Sequence, residues 1–211
     1  MIPTVADTEQ MNIYVDNILK VWRFATPDQL ARGRSWYRTA QQLAEVMADG
    51  DTRAGAGVIA ALSPQSAWDY NVRLAAQAFE TGQPAGHLGD ALRKAGRIMN
   101  GEDPLTVLPS ESKTWNFFRA IVDPEDAEAV VIDRHAHDIA VGETYGRQER
   151  GLSSKRRYAT LALAYRIAAQ QLDEIPSTVQ AATWVVWRER ISGTSTRGDL
   201  TINPSIDRED S

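Results

Sequence analysis

Cysteine is absent from the 211-residue chain. Its absence excludes disulfide bonds, thiolate-ligated zinc and an iron–sulfur cluster held by cysteines, and it fits a reducing compartment. No apolar run approaches the roughly 20 residues needed to cross a bilayer, and residues 1–10 lack the basic and apolar regions of a signal peptide. We therefore expect a cytoplasmic protein with no membrane contact.

An excess of positive charge is also missing. The formal net charge is −5, which argues against a protein that coats nucleic acid, because neutralising phosphates with Lys and Arg supplies most non-specific affinity. Residues 143–166 are the exception, with six basic side chains against two acidic ones. This stretch is the best candidate for a phosphate-facing surface, and the alternative is a solvated helix start with scattered ion pairs.

Alternating polar and apolar residues are rare, so we expect an all-α fold. The best strand candidate, residues 129–132, is only four residues long. A single compact, bilobed helical domain is expected over residues 1–192, followed by a flexible polar tail over residues 193–211. The predicted helices are residues 30–48, 67–79, 88–99, 112–121, 134–141, 153–172 and 176–190.

Two helix starts carry recognisable signals. Thr26-Pro27-Asp28-Gln29 offers an N-cap, a proline in the first turn and a capping-box glutamine. Ser63-Pro64-Gln65 repeats the pattern before the next predicted helix.

Three segments indicate a function. Residues 60–71 read AALSPQSAWDYN, residues 108–114 read LPSESKT, and residues 131–135 read VIDRH. In order and approximate spacing they resemble the helix-hairpin-helix DNA glycosylases of the endonuclease III type. In that superfamily a Leu-Ser-x-Gln turn lines the base pocket, a Leu-Pro-Gly-x-Gly hairpin with Lys-Thr grips phosphate, and a Val-Asp-x-His turn carries the catalytic aspartate. The resemblance covers roughly residues 57–190.

The resemblance implies that Asp133 is catalytic. The family's aspartate stabilises the positive charge that develops on the sugar as the base leaves, and a carboxylate at a helix start suits such a role. The alternative is that Asp133 only caps the helix beginning at Arg134.

It also implies that Lys113 is the nucleophile that forms a Schiff base in bifunctional members. Such a lysine must lose its proton, and the nearby Glu111 acts against that. The alternative is an ordinary surface lysine.

Further roles follow from the same resemblance. Amides at Gln65 and Asn71 would face the base or the opposing strand, and Trp68 would stack on an extruded base unless it belongs to the core. His135 would orient the turn that carries Asp133. The expected substrate-binding residues are Ser63, Gln65, Trp68, Asn71 and His135, and the expected contacts to a nucleic-acid backbone are Lys155, Arg156 and Arg157.

The chain departs from the family pattern at the hairpin, where Ser110 and Ser112 replace the glycines and Glu111 adds a negative charge. Duplex binding through this hairpin is therefore doubtful. No cofactor is expected. No metal is expected either, because His135 and His137 are two residues apart and point to different sides of a helix.

The leading hypothesis is therefore an enzyme that cleaves or forms an N-glycosidic bond on a DNA base or nucleotide, including modified bases of the kind found in phages. The Trp36-Tyr37 pair also resembles uncharacterised phage proteins. One alternative is a non-catalytic protein that keeps the glycosylase scaffold to hold DNA or a host protein. Another is a purely structural or inhibitory protein.

Overall fold

The computed structural model describes residues 5–146 and 149–192. Over these residues it is all-α, as predicted, and no described residue belongs to a strand. The helices are α1 (Val5–Arg23), α2 (Pro27–Met47), α3 (Thr52–Ala61), α4 (Trp68–Thr81), α5 (Gly89–Met99), α6 (Pro104–Val107), α7 (Lys113–Val122), α8 (Arg134–Val141), α9 (Lys155–Leu172) and α10 (Pro176–Ser192). None of these helices combines the length and the apolar character needed to span a bilayer. The predicted tail, residues 193–211, lies outside the described residues.

The structure corrects two local predictions. Residues 129–132 are buried but form neither strand nor helix, so the strand candidate is wrong. Ser63 does not cap a helix, because its hydroxyl donates back to Ala60 O at 3.0 Å. Helix α4 begins later, at Trp68, and has no side-chain cap.

The capping box at the start of α2 is confirmed. The Thr26 amide donates to Gln29 Oε1 at 2.8 Å, and the Gln29 amide donates to Thr26 Oγ1 at 3.2 Å. These reciprocal bonds satisfy amide groups that have no partner inside the helix. The helix starts at Pro27, where a missing N–H does no harm.

The chain divides into two compact units. The terminal unit comprises the described residues of 1–35 and 132–211, and the middle unit comprises residues 36–131. In the terminal unit α10 packs against α1, α8 and α9, and α1 also packs against α8 and α9. Residues on all sides of α10 are buried, including Val179, Ala182 and Trp187, so it is the central helix of this unit.

In the middle unit the central helix is α3. Every residue from Gly55 to Ala61 is buried, and the helix packs against α4, α5, α6 and α7. The Asp51 side chain caps it by accepting from the Ala54 amide at 2.9 Å. A helix surrounded by neighbours needs small side chains, and this one is rich in Gly and Ala.

At Gly55, helix α3 lies close to the backbone of α2 at Ala44. A Cβ atom at position 55 would lie 2.1 Å from the backbone oxygen of Ala44. Backbone cannot move aside as a flexible side chain can, so any larger residue must push the two helices apart.

We predict that Gly55→Ala lowers the free energy of unfolding by about 1–3 kcal/mol. Gly96→Ala in α5 is the matched control, since its Cβ would come no closer than 3.8 Å to another side chain. Alanine is the better helix former, so the control should be neutral or stabilised by up to about 1 kcal/mol. Urea denaturation followed by circular dichroism measures both, and equal stability of the two variants would contradict the packing argument.

Candidate functional site

Asp133 lies immediately before α8 and caps it. Its Oδ1 accepts from the Ala136 amide at 2.8 Å. The side chain is partly buried, and within the described residues its second oxygen has no hydrogen-bond partner. The capping interpretation is therefore correct for one oxygen, and no hydrogen bond within the described residues occupies the other.

Two tyrosines of α9 hold the backbone around Asp133. The Ile132 amide donates to the Tyr158 hydroxyl at 3.0 Å, and the Tyr165 hydroxyl donates to Ala136 O at 3.0 Å. Burial raises the pKa of Tyr165, so its phenol keeps the proton that this bond requires. Helix α9 thus holds the backbone at two points, one before and one after Asp133.

His135 occupies the buried side of the same turn. Its Nε2 accepts from Arg134 Nε at 3.2 Å, which leaves the ring proton on Nδ1, and its ring meets Trp184 edge-on at 6.3 Å. Burial lowers the pKa of His135. The Asp133 carboxylate partly opposes that shift, whereas Arg134 and Arg188 reinforce it. The imidazole is consequently neutral near physiological pH.

Helix α8 also carries a buried polar cluster. The Asp138 carboxylate accepts from Arg150 Nε at 2.8 Å and from Arg150 Nη2 at 2.7 Å, and it lies 2.8 Å from His137 Nδ1. Arg157 Nη2 lies 2.9 Å from His137 Nε2. Because a guanidinium can only donate, Nε2 must be the acceptor and the ring proton must sit on Nδ1, facing Asp138.

Both ring nitrogens of His137 are occupied by protein groups. Within the described residues, no three His, Cys, Asp or Glu side chains form a group that could hold a metal ion. The pair His137 and Asp138 instead joins α8 to the residues that lead into α9.

The predicted backbone contacts lie at the start of α9. Lys155 and Arg156 are exposed, whereas Arg157 is partly buried and donates from Nε to Arg150 O at 2.7 Å. Arg156 and Arg157 line a common hollow of about 220 Å³, which Lys155 does not line. The other lining residues are Tyr14, Ser154, Thr160 and Leu161.

In the middle unit, Ser63 and Asn71 have structural contacts. Both are buried, and Asn71 Nδ2 donates to Ile59 O at 3.1 Å, which ties α4 to α3. Asn71 Oδ1 is buried without a hydrogen-bond partner. Gln65 is exposed in a left-handed conformation, with φ at 57°. The two positions singled out for their amides thus differ sharply in accessibility.

Trp68 belongs to an aromatic cluster of the middle unit. Its ring centroid lies 4.7 Å from that of Trp36 and 6.3 Å from that of Phe117. Its indole is partly buried, so the contacts are those of a packing residue. Stacking on a base therefore remains a prediction.

The hairpin segment forms a turn between α6 and α7. Ser112 caps α7 by accepting from the Trp115 amide at 3.2 Å, and Glu111 adopts a left-handed conformation with φ at 60°. A conformation that favours glycine is thus held by an acidic residue. Lys113, the first residue of α7, is partly buried and has no hydrogen bond or ion pair within the described residues.

The predicted site residues are therefore divided between the two units. The terminal unit holds Asp133, His135, Lys155, Arg156 and Arg157, and the middle unit holds Ser63, Gln65, Trp68, Asn71 and Lys113.

Sequence reasoning gave no role to Tyr14, weighed Asp138 only as a partner of the two histidines in the rejected metal site, and counted Arg150 only among the basic residues of the stretch 143–166. Asp138 could have been noticed as a charged residue next to the apolar pair Ile139-Ala140, which indicates burial with a partner. Arg150 lies outside any helix and carries no such signal.

Comparison with known proteins gives one match. The model of a family described as a family of unknown function (DUF7178) matches residues 1–191. No curated protein and no solved structure matches the chain.

The burial of His135 predicts a pH dependence of stability. Its pKa in the folded protein lies below the ordinary value of about 6.5. Between those two values the unfolded chain binds the extra proton, so the free energy of unfolding falls as the pH drops below about 6.5, by at most about 1.4 kcal/mol per pH unit. Above about 6.5 the imidazole is neutral in both states and contributes no slope.

His135→Gln, which does not titrate, should show a shallower decline in stability below that pH than the wild type. Urea denaturation at a series of pH values measures how the free energy of unfolding of each protein changes with pH. The carboxylates titrate alike in both proteins, so the difference between the two slopes reports on His135. Identical slopes would mean that His135 is not held neutral by burial.

Proposed function

We propose that this chain, which belongs to the family of unknown function DUF7178, is a DNA-glycosylase-like protein of the helix-hairpin-helix type. It would cleave or form an N-glycosidic bond on a DNA base or nucleotide, with Asp133 as the electrostatic catalyst. The proposal combines the resemblance of the three sequence segments with the local geometry around Asp133.

The observation that carries the proposal is the difference in contacts between the two carboxylate oxygens of Asp133. One oxygen is bonded to the first turn of α8, and the other has no partner within the described residues. A carboxylate oriented in this way needs little reorganisation when positive charge develops nearby. As the glycosidic bond breaks, the base leaves with the bonding electron pair and C1′ becomes positive, which is the charge that Asp133 would stabilise.

The neighbouring His135 supports the same role. A protonated imidazole beside Asp133 would cancel part of the carboxylate's charge. Burial lowers the pKa of His135 and so keeps the ring neutral. The imidazole of His135 therefore adds no positive charge beside the Asp133 carboxylate.

Contacts to phosphate would come from the start of α9 in the same unit. The predicted hairpin has no glycine at its left-handed position and carries the acidic Glu111 there, which discourages the approach of a phosphate. Lys155 and Arg156, by contrast, are exposed and positively charged. We therefore assign the backbone contacts to Lys155, Arg156 and Arg157.

A non-catalytic binding protein is the second candidate, and the capping role of Asp133 favours it. Asp is among the commonest N-caps, so its presence before α8 needs no catalytic explanation. This candidate predicts that binding of DNA or a nucleotide survives the loss of the Asp133 charge and weakens steeply with salt.

The two candidates are separated by Asp133→Asn. Asparagine caps helices about as well as aspartate, so the fold should be retained while the negative charge is lost. We expect base excision to fall by on the order of 100-fold or more. The assay is a single-turnover excision measurement on single- and double-stranded oligonucleotides, each carrying one damaged or 5-substituted base.

Asp173→Asn is the matched control, because Asp173 is an exposed residue after α9 whose left-handed backbone suits asparagine. It should excise like the wild type. Equal activity of Asp133→Asn and the wild type would remove the catalytic claim, and inactivity of the wild type on every substrate would favour the binding protein.

Lys113 allows a separate prediction. If the protein is bifunctional, Lys113 Nζ attacks C1′ as the base departs with its electron pair, and the sugar ring then opens to a protonated imine. Borohydride would reduce that imine to a stable amine. We expect a protein–DNA adduct that is lost in Lys113→Ala and kept in Lys20→Ala. Excision without any adduct would identify water as the nucleophile instead.

A further inference from the structure

The hollow at the start of α9 has an unbalanced positive charge. Arg156 and Arg157 line it, and none of its lining residues is acidic. The nearest buried carboxylate in the hydrogen-bond network, Asp138, is already paired with Arg150 through two bonds. Two arginine side chains therefore line a small concave space that no lining carboxylate neutralises.

Arg157 is held in place before any ligand arrives. Its Nε donates to Arg150 O at 2.7 Å, and its Nη2 donates to His137 Nε2 at 2.9 Å. His137 is in turn hydrogen-bonded to Asp138. A guanidinium fixed in this way loses little side-chain entropy on binding an anion.

Two hydroxyl-bearing side chains, Ser154 and Tyr14, also line the same space. Ser154 Oγ accepts from the Arg157 amide at 3.4 Å, so its own proton stays free to donate. Tyr14 is only 6% exposed, and its phenol makes no hydrogen bond within the described residues.

We propose that this hollow binds a phosphate monoester, the terminal phosphate of a free nucleotide or of a DNA strand end. A monoester carries a charge of about −1.5 to −2 at neutral pH, which matches the two guanidinium groups better than the single charge of an internal diester. A volume of about 220 Å³ is below the roughly 300–1,000 Å³ of pockets that enclose whole small molecules. The site therefore suits the phosphate alone, with the nucleoside lying outside.

Two parts of the ligand are inferred separately. That it carries a nucleoside rests on the proposed function, and that it carries a phosphate monoester is inferred from the hollow alone. Asp133→Asn leaves every lining residue of the hollow unchanged. Suppose that Asp133→Asn still binds phosphate, and that neither the wild type nor any variant excises a base. That result would retain this inference and refute only the catalytic proposal.

The test compares phosphorylated probes with their hydroxyl counterparts by isothermal titration calorimetry on the full chain. The free-nucleotide arm uses thymidine 5′-monophosphate against thymidine. The strand-end arm uses one oligonucleotide with a 5′-phosphate, a 3′-phosphate or neither. We expect the phosphate to strengthen binding about tenfold or more in at least one arm, and the arm that responds identifies the source.

The variants are Arg156→Gln, which removes an exposed guanidinium, and Tyr14→Phe, which removes one oxygen while keeping the buried ring. Arg156→Gln should abolish most of the gain from the phosphate, and Tyr14→Phe should reduce it severalfold. Arg23→Gln is the matched control, since Arg23 is exposed in the same unit and does not line the hollow.

The inference is overturned if phosphorylated and hydroxyl probes bind alike in both arms. It is also overturned if Arg23→Gln weakens phosphate binding as much as Arg156→Gln, since the effect would then come from overall charge. Circular dichroism of each variant, matched to the wild type, ties any loss of binding to the hollow rather than to unfolding.

Discussion

A carboxylate taken out of water loses several kcal/mol of hydration unless charged partners replace it. Asp138 is 2% exposed and receives that replacement from both nitrogens of the Arg150 fork and from His137. These two partners in turn hold Arg157, because His137 Nε2 and the backbone oxygen of Arg150 both accept hydrogen bonds from its guanidinium. The hydrogen bonds that compensate the buried Asp138 carboxylate thus hold the start of α9 against α8.

Both proposed sites depend on that arrangement. Asp133 is positioned by the first turn of α8, which also bonds to Tyr165 of α9. The hollow is shaped by Arg157, whose direction comes from the Asp138 cluster. Removing one member of a buried ion pair typically costs about 3–5 kcal/mol, because the other charge is left buried without a partner, so the unit in which the proposed chemistry would occur depends on every member of the cluster. Position and stability come from the same contacts.

The sequence predicts the fold class because helix starts and apolar periodicity are local signals. The Thr26-Gln29 capping box needs only four residues to form, and the structure contains it. Residues 129–132, the best strand candidate, form no strand because an apolar run indicates burial, whereas a strand also requires a partner that the run cannot reveal. Ser63 does not cap a helix because its hydroxyl donates instead to the backbone oxygen of Ala60, three residues earlier.

The candidate site was predictable only in part, for a related reason. Asp133 could be named from a motif and Arg157 from a cluster of basic residues. The residues that each of them contacts in the structure could not be named. The Asp138–Arg150 pair joins a helix to a residue twelve positions later across a turn, and Tyr14 reaches the hollow from the other end of the sequence. Such contacts are set by packing rather than by local spacing.

The terminal unit is assembled from two pieces of chain that are separated by the whole middle unit. During synthesis, residues 36–131 can bury their core as soon as they have emerged, whereas α1 must wait for α8, α9 and α10. Until then the apolar side of α1, with Val15, Ile18 and Leu19, has no surface to cover it. Nascent chains with such delayed long-range contacts fold slowly and aggregate readily, so we expect the yield of this protein to depend on chaperones and on the rate of translation.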